Sequence, residues 1–118
     1  MGHLELGRQG ESSAADYLKG KGHNIIELNF RWGRGELDII SLEGSELVIT
    51  EVKTRVSNWM GEPYQAVNKK KQKQIIHIAN KYIEASERTE EIRFDIISVI
   101  INKSAIKIEH IKNAFYPV

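Results

Sequence analysis

Apolar residues recur at helical spacing close to the N-terminus of the chain. Over residues 8–20 they lie three and four positions apart, at Ala14, Ala15 and Leu18. This spacing predicts a short amphipathic helix, which we expect to begin at Gly7 or Gly10. The glycine-rich sequence at residues 20–22 is typical of a helix end.

A second stretch of helical spacing lies in the second half of the chain and is the strongest pattern in the sequence. Its apolar positions are Ile75, Ile76, Ala79, Tyr82 and Ile83. They predict a long helix that ends near Glu87. The pattern leaves the start of this helix open between Tyr64 and Asn68.

Runs of apolar and β-branched residues, separated by turns that contain glycine or polar residues, predict five strands. Three of them precede the long helix, at residues 24–30, 36–42 and 46–55. The other two follow it, at residues 94–101 and 105–111. The turn at residues 31–35 joins the first two strands as a hairpin, and a polar loop at residues 56–63 carries Trp59.

The predicted order is therefore one helix, three strands, one long helix and two strands. Helices and strands in this order predict an α/β fold, in which helices pack on a central mixed β-sheet. The chain has 118 residues and shows neither an internal repeat nor a change in composition. We therefore expect a single domain over residues 1–118.

Composition narrows the function classes. Without cysteine, the chain has no disulfide framework, no thiolate nucleophile and no cysteine-based zinc or iron–sulfur site. Seventeen lysines and arginines against sixteen aspartates and glutamates give a net charge of +1, so affinity for nucleic acid requires local clusters of charge. The apolar runs are too short for a membrane span or a secretory signal, so we expect a cytoplasmic protein without membrane contact.

Charged residues interrupt the core-like sequence of the third predicted strand. The two-residue period of a strand places Glu51 and Lys53 on one face, and Asp38 of the preceding strand can stand close to Glu51. Two such carboxylates can bind a hard divalent cation, and the lysine can orient a water or offset charge on a phosphate. The alternative is a salt bridge at the strand end between Glu51 and Lys53 or Arg55.

Glu11 offers a third carboxylate for the same place. It lies on the helix stripe that carries Ala14, Ala15 and Leu18, so we expect its side chain to point toward the sheet. The alternative interpretation is an acid near a helix N-terminus, which the helix dipole stabilises by about 0.3–1 kcal/mol.

Basic residues cluster in the sequence around these acids. The predicted nucleic-acid-binding positions are Lys69, Lys70, Lys71 and Lys73 of the long helix, together with Arg8, Arg31, Arg34 and Arg55. Lysines in the first turns of a helix oppose its dipole, so an anionic partner such as a DNA backbone explains them better than helix stability does. The alternative is a solvated run of charge.

Other candidate residues favour structural roles. We expect Asp95 near the start of a strand, paired with Arg93. The four histidines, at positions 3, 23, 77 and 110, do not have the spacing of metal ligands. Trp59 either stacks on a base or closes the core, and the sequence leaves both open.

The motifs taken together resemble those of a known family. In chain order they are Gly7-Arg8-Gln9-Gly10-Glu11, Gly35-Glu36-Leu37-Asp38, Glu51-Val52-Lys53-Thr54-Arg55, Ala66-Val67 followed by Lys71, Arg93-Phe94-Asp95 and Asn113-Ala114-Phe115. This succession is similar to the YraN-like family of predicted bacterial endonucleases, which is related to archaeal Holliday-junction resolvases within the PD-(D/E)XK nuclease superfamily. The chain departs from that pattern at Asn68-Lys69, where family members often have Thr-Pro.

The resemblance implies a restriction-endonuclease-like αβββαβ core and a Mg²⁺- or Mn²⁺-dependent endonuclease that hydrolyses DNA, branched or Holliday-junction-like DNA included. It implies that Asp38, Glu51 and Glu11 hold the metal and that Lys53 completes the catalytic set. Lys71 corresponds to the basic residue of the long helix. Resolvases with this core are dimers, so the same resemblance suggests a homodimer.

Two other function classes stay open on the sequence. A non-catalytic module could use the basic helix face to bind DNA or RNA, or to dock another protein, and it would have no reason to aim three acids at an anionic ligand. An architectural subunit with only a salt-bridge network at its strand end would show no salt-dependent binding of nucleic acid. Uptake of Mg²⁺ or Mn²⁺ separates a nuclease from the non-catalytic module.

Overall fold

The computed structural model describes residues 2–56, 67–103 and 105–117. Along the chain it contains helix α1 (His3–Gly20), strands β1 (Asn24–Trp32), β2 (Gly35–Glu43) and β3 (Glu46–Val56), helix α2 (Lys69–Ser86), and strands β4 (Glu91–Ile101) and β5 (Ile106–Phe115). This order confirms the predicted α/β fold, and its first six elements agree with a restriction-endonuclease-like αβββαβ core. The predicted loop with Trp59 lies, apart from Val56, outside the described residues.

The five strands form one mixed sheet in the order β1-β2-β3-β4-β5. Neighbouring strands are antiparallel except β3 and β4, which pair in parallel from Glu46 opposite Glu91 to Val56 opposite Ile101. A parallel pair needs a crossover connection rather than a tight turn. The connection that contains α2 is this crossover, which explains why a long helix separates the third and fourth strands in the sequence.

Each face of the sheet carries one helix and its own apolar core. The core under α1 consists of Ala14, Ala15, Leu18, Ile39, Val52, Ile97 and Val99. The core under α2 is larger, and the helix contributes Ile75, Ile78, Ala79 and Tyr82 to it. Ile96 and Ile97 are neighbours on β4 but belong to different cores, so the helices cover opposite faces. None of the described helices is apolar enough over a sufficient length to span a membrane.

The first helix begins at His3, so the prediction that it begins at Gly7 or Gly10 is wrong. Both glycines lie inside α1. Gly10 is required by packing, because a β-carbon at this position would overlap the side chain of Thr54 in β3. The glycine lets the helix backbone approach the strand closely, and the next residue along the helix is Glu11.

The second helix begins at Lys69, with Asn68 as its N-cap residue. The Asn68 side-chain oxygen accepts a hydrogen bond from the backbone N–H of Lys71 at 2.9 Å, which satisfies one of the N–H groups that a helix start leaves free. Asn68 therefore defines the start of α2 without the Thr-Pro step that is frequent in the family that the motifs resemble.

All five strands extend beyond their predicted bounds, β2 and β3 by a single residue at an end and β5 as far as Phe115. β1 continues to Trp32, which pairs with Gly35 across a two-residue turn. The first turn residue, Gly33, has a φ of 61°, in the left-handed region that favours glycine. β4 begins at Glu91, so Asp95 lies inside the strand, and the prediction that it lies near the strand start is wrong.

Candidate metal centre

Three carboxylates from α1 and β2 meet near the start of β2. Oxygen atoms of Glu11, Glu36 and Asp38 all lie within 4.8 Å of one another. Glu36 and Asp38 are two positions apart on one strand, so the strand alternation directs both toward the same side. Ionised carboxylates this close repel each other, and a shared cation removes that repulsion.

Asp38 is the most buried member of this group, at 8% exposed. Its Oδ2 accepts a hydrogen bond from the backbone N–H of Val52 at 2.8 Å. Burial, followed by the charge of Glu51 and a hydrogen bond with the Glu51 carboxyl, raises the pKa of Asp38 to about 9, although the Val52 N–H acts in the opposite direction. Without a cation, this carboxyl therefore holds a proton at neutral pH.

Glu51 connects the carboxylates with two lysines. Its side chain is buried, and its Oε2 lies 3.7 Å from the ammonium nitrogen of Lys53 and 3.7 Å from that of Lys71. The predicted contact with Lys53 is present, as the two-residue period requires. A second lysine from α2 and the neighbouring Asp38 make the arrangement larger than a simple strand-end salt bridge.

Glu11 is partly buried and lies in the interior of α1. The helix dipole acts within the first turn, whereas α1 begins at His3 and Glu11 lies beyond that turn. The interpretation of Glu11 as an N-terminal acid stabilised by the dipole is therefore wrong. Its Oε1 accepts a hydrogen bond from the side-chain amide of Asn29 at 2.9 Å, which fixes the carboxylate between α1 and β1.

Glu36 is the member that sequence reasoning missed as a ligand. The signal was present in Glu36-Leu37-Asp38, because strand residues two positions apart share a face. The guanidinium of Arg31, its pairing partner on β1, lies 3.7 Å from the Glu36 carboxylate. Both side chains of this pair are substantially exposed, so the contact competes only weakly with a cation.

The donor set suits a hard divalent cation. The group consists of carboxylate oxygens, the ligands that Mg²⁺ and Mn²⁺ prefer, and within the described residues no histidine joins it. It also includes a buried acid, Asp38, whose proton a cation could replace. On these grounds Glu11, Glu36 and Asp38 could hold the ion, with Glu51 beside Asp38.

The predicted basic residues lie on two sides of the carboxylates. On the α1 side, Arg8 and Arg31 line an open groove with a volume of about 330 Å³, together with Glu11, Glu36 and Asn29. An adjoining cavity of about 250 Å³, which shares Arg8, Glu11 and Asn29, continues the groove toward Lys19. The groove therefore runs directly past two of the candidate metal ligands.

The remaining basic residues are distributed over the α2 side and the strand ends. Lys71 reaches Glu51, as described above. The exposed residues are Lys69, Lys70, Lys73 and Arg34, whereas Arg55 is partly buried near the end of β3. The structure thus brings Lys71 to the acids and leaves three lysines of the predicted cluster on the outer surface of the helix.

A second buried group of charges lies on the α1 side of the sheet, separate from the metal centre. The guanidinium of Arg93 donates two hydrogen bonds of 2.9 Å to Asp95, which confirms the predicted pairing. Asp95 also accepts hydrogen bonds from His110 at 2.7 Å and from the Asn113 N–H at 3.0 Å. Burial favours a higher pKa for Asp95, but these hydrogen bonds, with that from Arg93, lower it to about 2. The group is a paired structural network.

Comparison with other sequences places the chain in a family of bacterial proteins. Residues 10–99 match the model of a family described as uncharacterised protein family UPF0102. The UPF0102 protein of Christiangramia forsetii is 45% identical over 114 residues, which cover 97% of this chain and 96% of that protein. The UPF0102 protein of Thermodesulfovibrio yellowstonii is 44% identical over 116 residues, which cover 98% of this chain and 100% of that protein. All the residues of the candidate metal centre lie within the matched range.

Proposed function

This chain belongs to the uncharacterised protein family UPF0102, and from its site we propose that it is a metal-dependent endonuclease that hydrolyses phosphodiester bonds of DNA. The observation that carries the proposal is the convergence of Glu11, Glu36 and Asp38 at one point, beside Glu51 and its two lysines. Branched DNA is included among the proposed substrates because the sequence motifs resemble those of resolvase-related nucleases.

The combination of acids and cations supports hydrolysis of an anionic substrate better than binding alone. A protein that only binds DNA gains nothing from carboxylates directed at phosphates, because the two repel each other. A divalent cation between carboxylates and phosphate reverses the sign of that interaction. The acids of this site therefore favour binding of a phosphate when a cation lies between them and it.

We assign the site residues separate roles. Glu11, Glu36 and Asp38 hold Mg²⁺ or Mn²⁺, with Glu51 as a further ligand beside Asp38. Such an ion supplies polarisation of a phosphate oxygen and a lowered pKa for a water molecule. Lys53 orients the attacking water or stabilises the negative charge that develops on the phosphate.

Contacts to DNA come from the basic residues on both sides of the acids. In the groove on the α1 side, Arg8 and Arg31 bind backbone phosphates next to Glu11. On the α2 side, Lys71 stands at the metal centre and the exposed lysines follow along the helix. Such contacts are independent of sequence, and the affinity they supply falls as the salt concentration rises.

A cleavage assay tests this function. The purified protein is incubated with labelled linear, flapped and four-way DNA, with Mn²⁺, with Mg²⁺ or with EDTA. We expect cleavage that requires the metal and is abolished in Glu51→Ala, whereas the control Glu91→Ala, which alters an exposed acid at the start of β4, retains it. Circular dichroism confirms that both variants are folded.

The outcome also distinguishes a nuclease from a non-catalytic binding module. Absence of cleavage from all DNAs with either metal, or undiminished cleavage by Glu51→Ala, would contradict the proposal. DNA binding that persists in EDTA, in a protein that takes up neither metal, would instead identify a non-catalytic binding module.

A further inference from the structure

The exposed side of α2 carries a stripe of basic residues that the proposed metal centre does not use. Four residues spaced three or four positions apart define this basic stripe: Lys70, Lys73, His77 and Lys81. The first three are exposed and Lys81 is partly buried. The buried side of the helix, which includes Ile75 and Ala79, lies opposite, so the stripe faces away from the sheet.

The β1–β2 hairpin packs against the middle of this helix and adds an aromatic residue to the stripe. A β-carbon at Gly35 would lie 2.5 Å from the Ile78 side chain and 2.9 Å from that of Gln74, so the hairpin and α2 are in close contact. Trp32, which pairs with Gly35, is 46% exposed, and the ammonium nitrogen of Lys81 lies 5.9 Å from its ring centroid. This cation–π contact holds the last lysine of the stripe at the surface.

The charge of this surface favours an anionic partner. The sequence of α2 contains five lysines and one acid, Glu84, whose carboxylate lies 3.8 Å from Lys81. Within the part of the chain that the structure describes, no acid lies within 4.0 Å of the ammonium groups of Lys70 or Lys73. An excess of lysines along one helix face, with an exposed aromatic ring beside them, is typical of a surface that binds a nucleic-acid backbone.

The stripe begins in the helix turn that also carries Lys71, the lysine that reaches the metal centre. Lys71, whose ammonium nitrogen is 3.7 Å from Glu51, lies in the same helix turn as Lys70. Lys81 follows ten residues later, which is about 15 Å along the helix axis at a rise of about 1.5 Å per residue. At about 3.4 Å per base pair, this length corresponds to four or five base pairs of duplex DNA.

We infer that the basic stripe and Trp32 bind the backbone of a duplex DNA arm over about four or five base pairs on the α2 side of the sheet. The inference rests on the proposed function, since it takes DNA as the substrate. The residues act on different parts of the arm. Lys70, Lys73 and His77 contact successive phosphates, and Trp32 fixes Lys81 at the C-terminal end of the stripe.

Equilibrium binding of a labelled duplex, followed by fluorescence anisotropy in EDTA, tests this surface without cleavage. Lys81→Gln is compared with the control Lys107→Gln, which removes the same charge from an exposed position on β5 at the opposite edge of the sheet. We expect Lys81→Gln to weaken binding about threefold to tenfold and to lower the slope of log affinity against log salt by about 0.9, with no change in the control. Equal effects of the two substitutions would overturn the inference.

Tryptophan fluorescence gives a second readout that does not depend on a charge change. The chain has two tryptophans, so Trp59→Phe leaves Trp32 as the reporter. We expect its fluorescence to change on addition of duplex DNA, and not on addition of an acidic polypeptide. No change with duplex DNA, or tighter binding of an acidic polypeptide than of DNA, would overturn the inference.

The two proposals fail in different ways. The binding measurements use EDTA and do not depend on cleavage. If Lys81→Gln weakens duplex binding but the protein cleaves no DNA, only the nuclease assignment is contradicted. Metal-dependent cleavage together with unchanged duplex binding by Lys81→Gln would contradict the inference about the basic stripe and would support the nuclease assignment.

Discussion

The Oδ2 atom of Asp38 accepts a hydrogen bond from the backbone N–H of Val52 at 2.8 Å, so a buried acid on β2 is fixed against the residue that follows Glu51 on β3. Ile39 pairs with Thr50, which brings the next residues of the two strands, Asp38 and Glu51, to the same place. The position of the metal centre thus follows from the register of one antiparallel strand pair.

Glu36 provides a test of which acids hold the ion. We expect Mn²⁺ to raise the melting temperature of the wild-type protein, since a ligand at 100 times its Kd stabilises the bound state by about 2.7 kcal/mol. Glu36→Gln should reduce this shift by at least half, because it removes one of three converging carboxylates. Differential scanning fluorimetry with Glu91→Gln as control measures it, and an unreduced shift in Glu36→Gln would exclude Glu36 as a ligand.

The two lysines at Glu51 should differ in their effect on cleavage. Lys53→Met should lower kcat by about 10²–10³, since a cation that stabilises developing charge acts in the transition state. Lys71→Met should act mainly on KM, because this residue lies on the helix that leads the DNA away from the site. Steady-state cleavage kinetics of both variants, beside Lys107→Met, check this division. A Lys53→Met enzyme with wild-type kcat would contradict the role assigned to Lys53.

Gly10 links helix packing to the metal centre. Gly10→Ala should destabilise the protein by about 1–3 kcal/mol, because the new methyl group overlaps Thr54 and displaces α1. The displacement should also weaken Mn²⁺ binding, since Glu11 is the next residue. Gly7→Ala is the matched control, because a β-carbon there meets nothing within 4 Å and Ala favours the helix by up to about 1 kcal/mol. Urea denaturation distinguishes them, and equal stabilities of the two variants would refute the packing argument.

The pKa of Asp95 predicts how the stability of the folded protein depends on pH. Its pKa is lowered to about 2 in the folded protein, so its contribution to stability is complete above the unfolded value of 3.8 and is lost as the pH falls toward 2. Asp95→Asn should cost about 3 kcal/mol at pH 7, because Arg93 and His110 lose their buried acceptor, although Arg93 keeps its contact with Glu43 at 2.8 Å. The stability of this variant should also fall less between pH 4 and 2. Urea unfolding at several pH values tests this, with Asp16→Asn, an exposed acid of α1, as control. Identical acid profiles for wild type and Asp95→Asn would contradict the assignment.

The element order was predictable because periodicity reports which positions face a core. The spacing of Ile75, Ala79 and Tyr82 predicted α2, and all three are buried in the structure. The start of α1 was not predictable, because Gly10 reads as a helix boundary in the sequence. Its packing on Thr54, a residue far away in the chain, decides its place inside the helix.

The candidate site could be predicted only where local period and strand pairing coincide. Glu51 and Lys53 share a face by the strand period alone, and their contact was therefore predictable. The approach of Lys71 to Glu51 depends on how α2 packs on the sheet, which no local pattern encodes. Glu36 was not predicted as a ligand, because a charged residue beside a turn is usually solvated. Glu36 becomes part of a group of acids only because Glu11 of the neighbouring helix lies close to it.

Calorimetric titration of Mn²⁺ into the metal-free protein measures most directly whether the acids of α1 and β2 form an ion site. We expect saturable binding whose affinity rises between pH 6 and 8, because the ion replaces the proton on Asp38, whose pKa burial raises to about 9. We also expect Asp38→Asn, folded by circular dichroism, to bind Mn²⁺ at least tenfold more weakly. Absence of binding by the wild-type protein, or equal affinities of wild type and Asp38→Asn, would contradict the account.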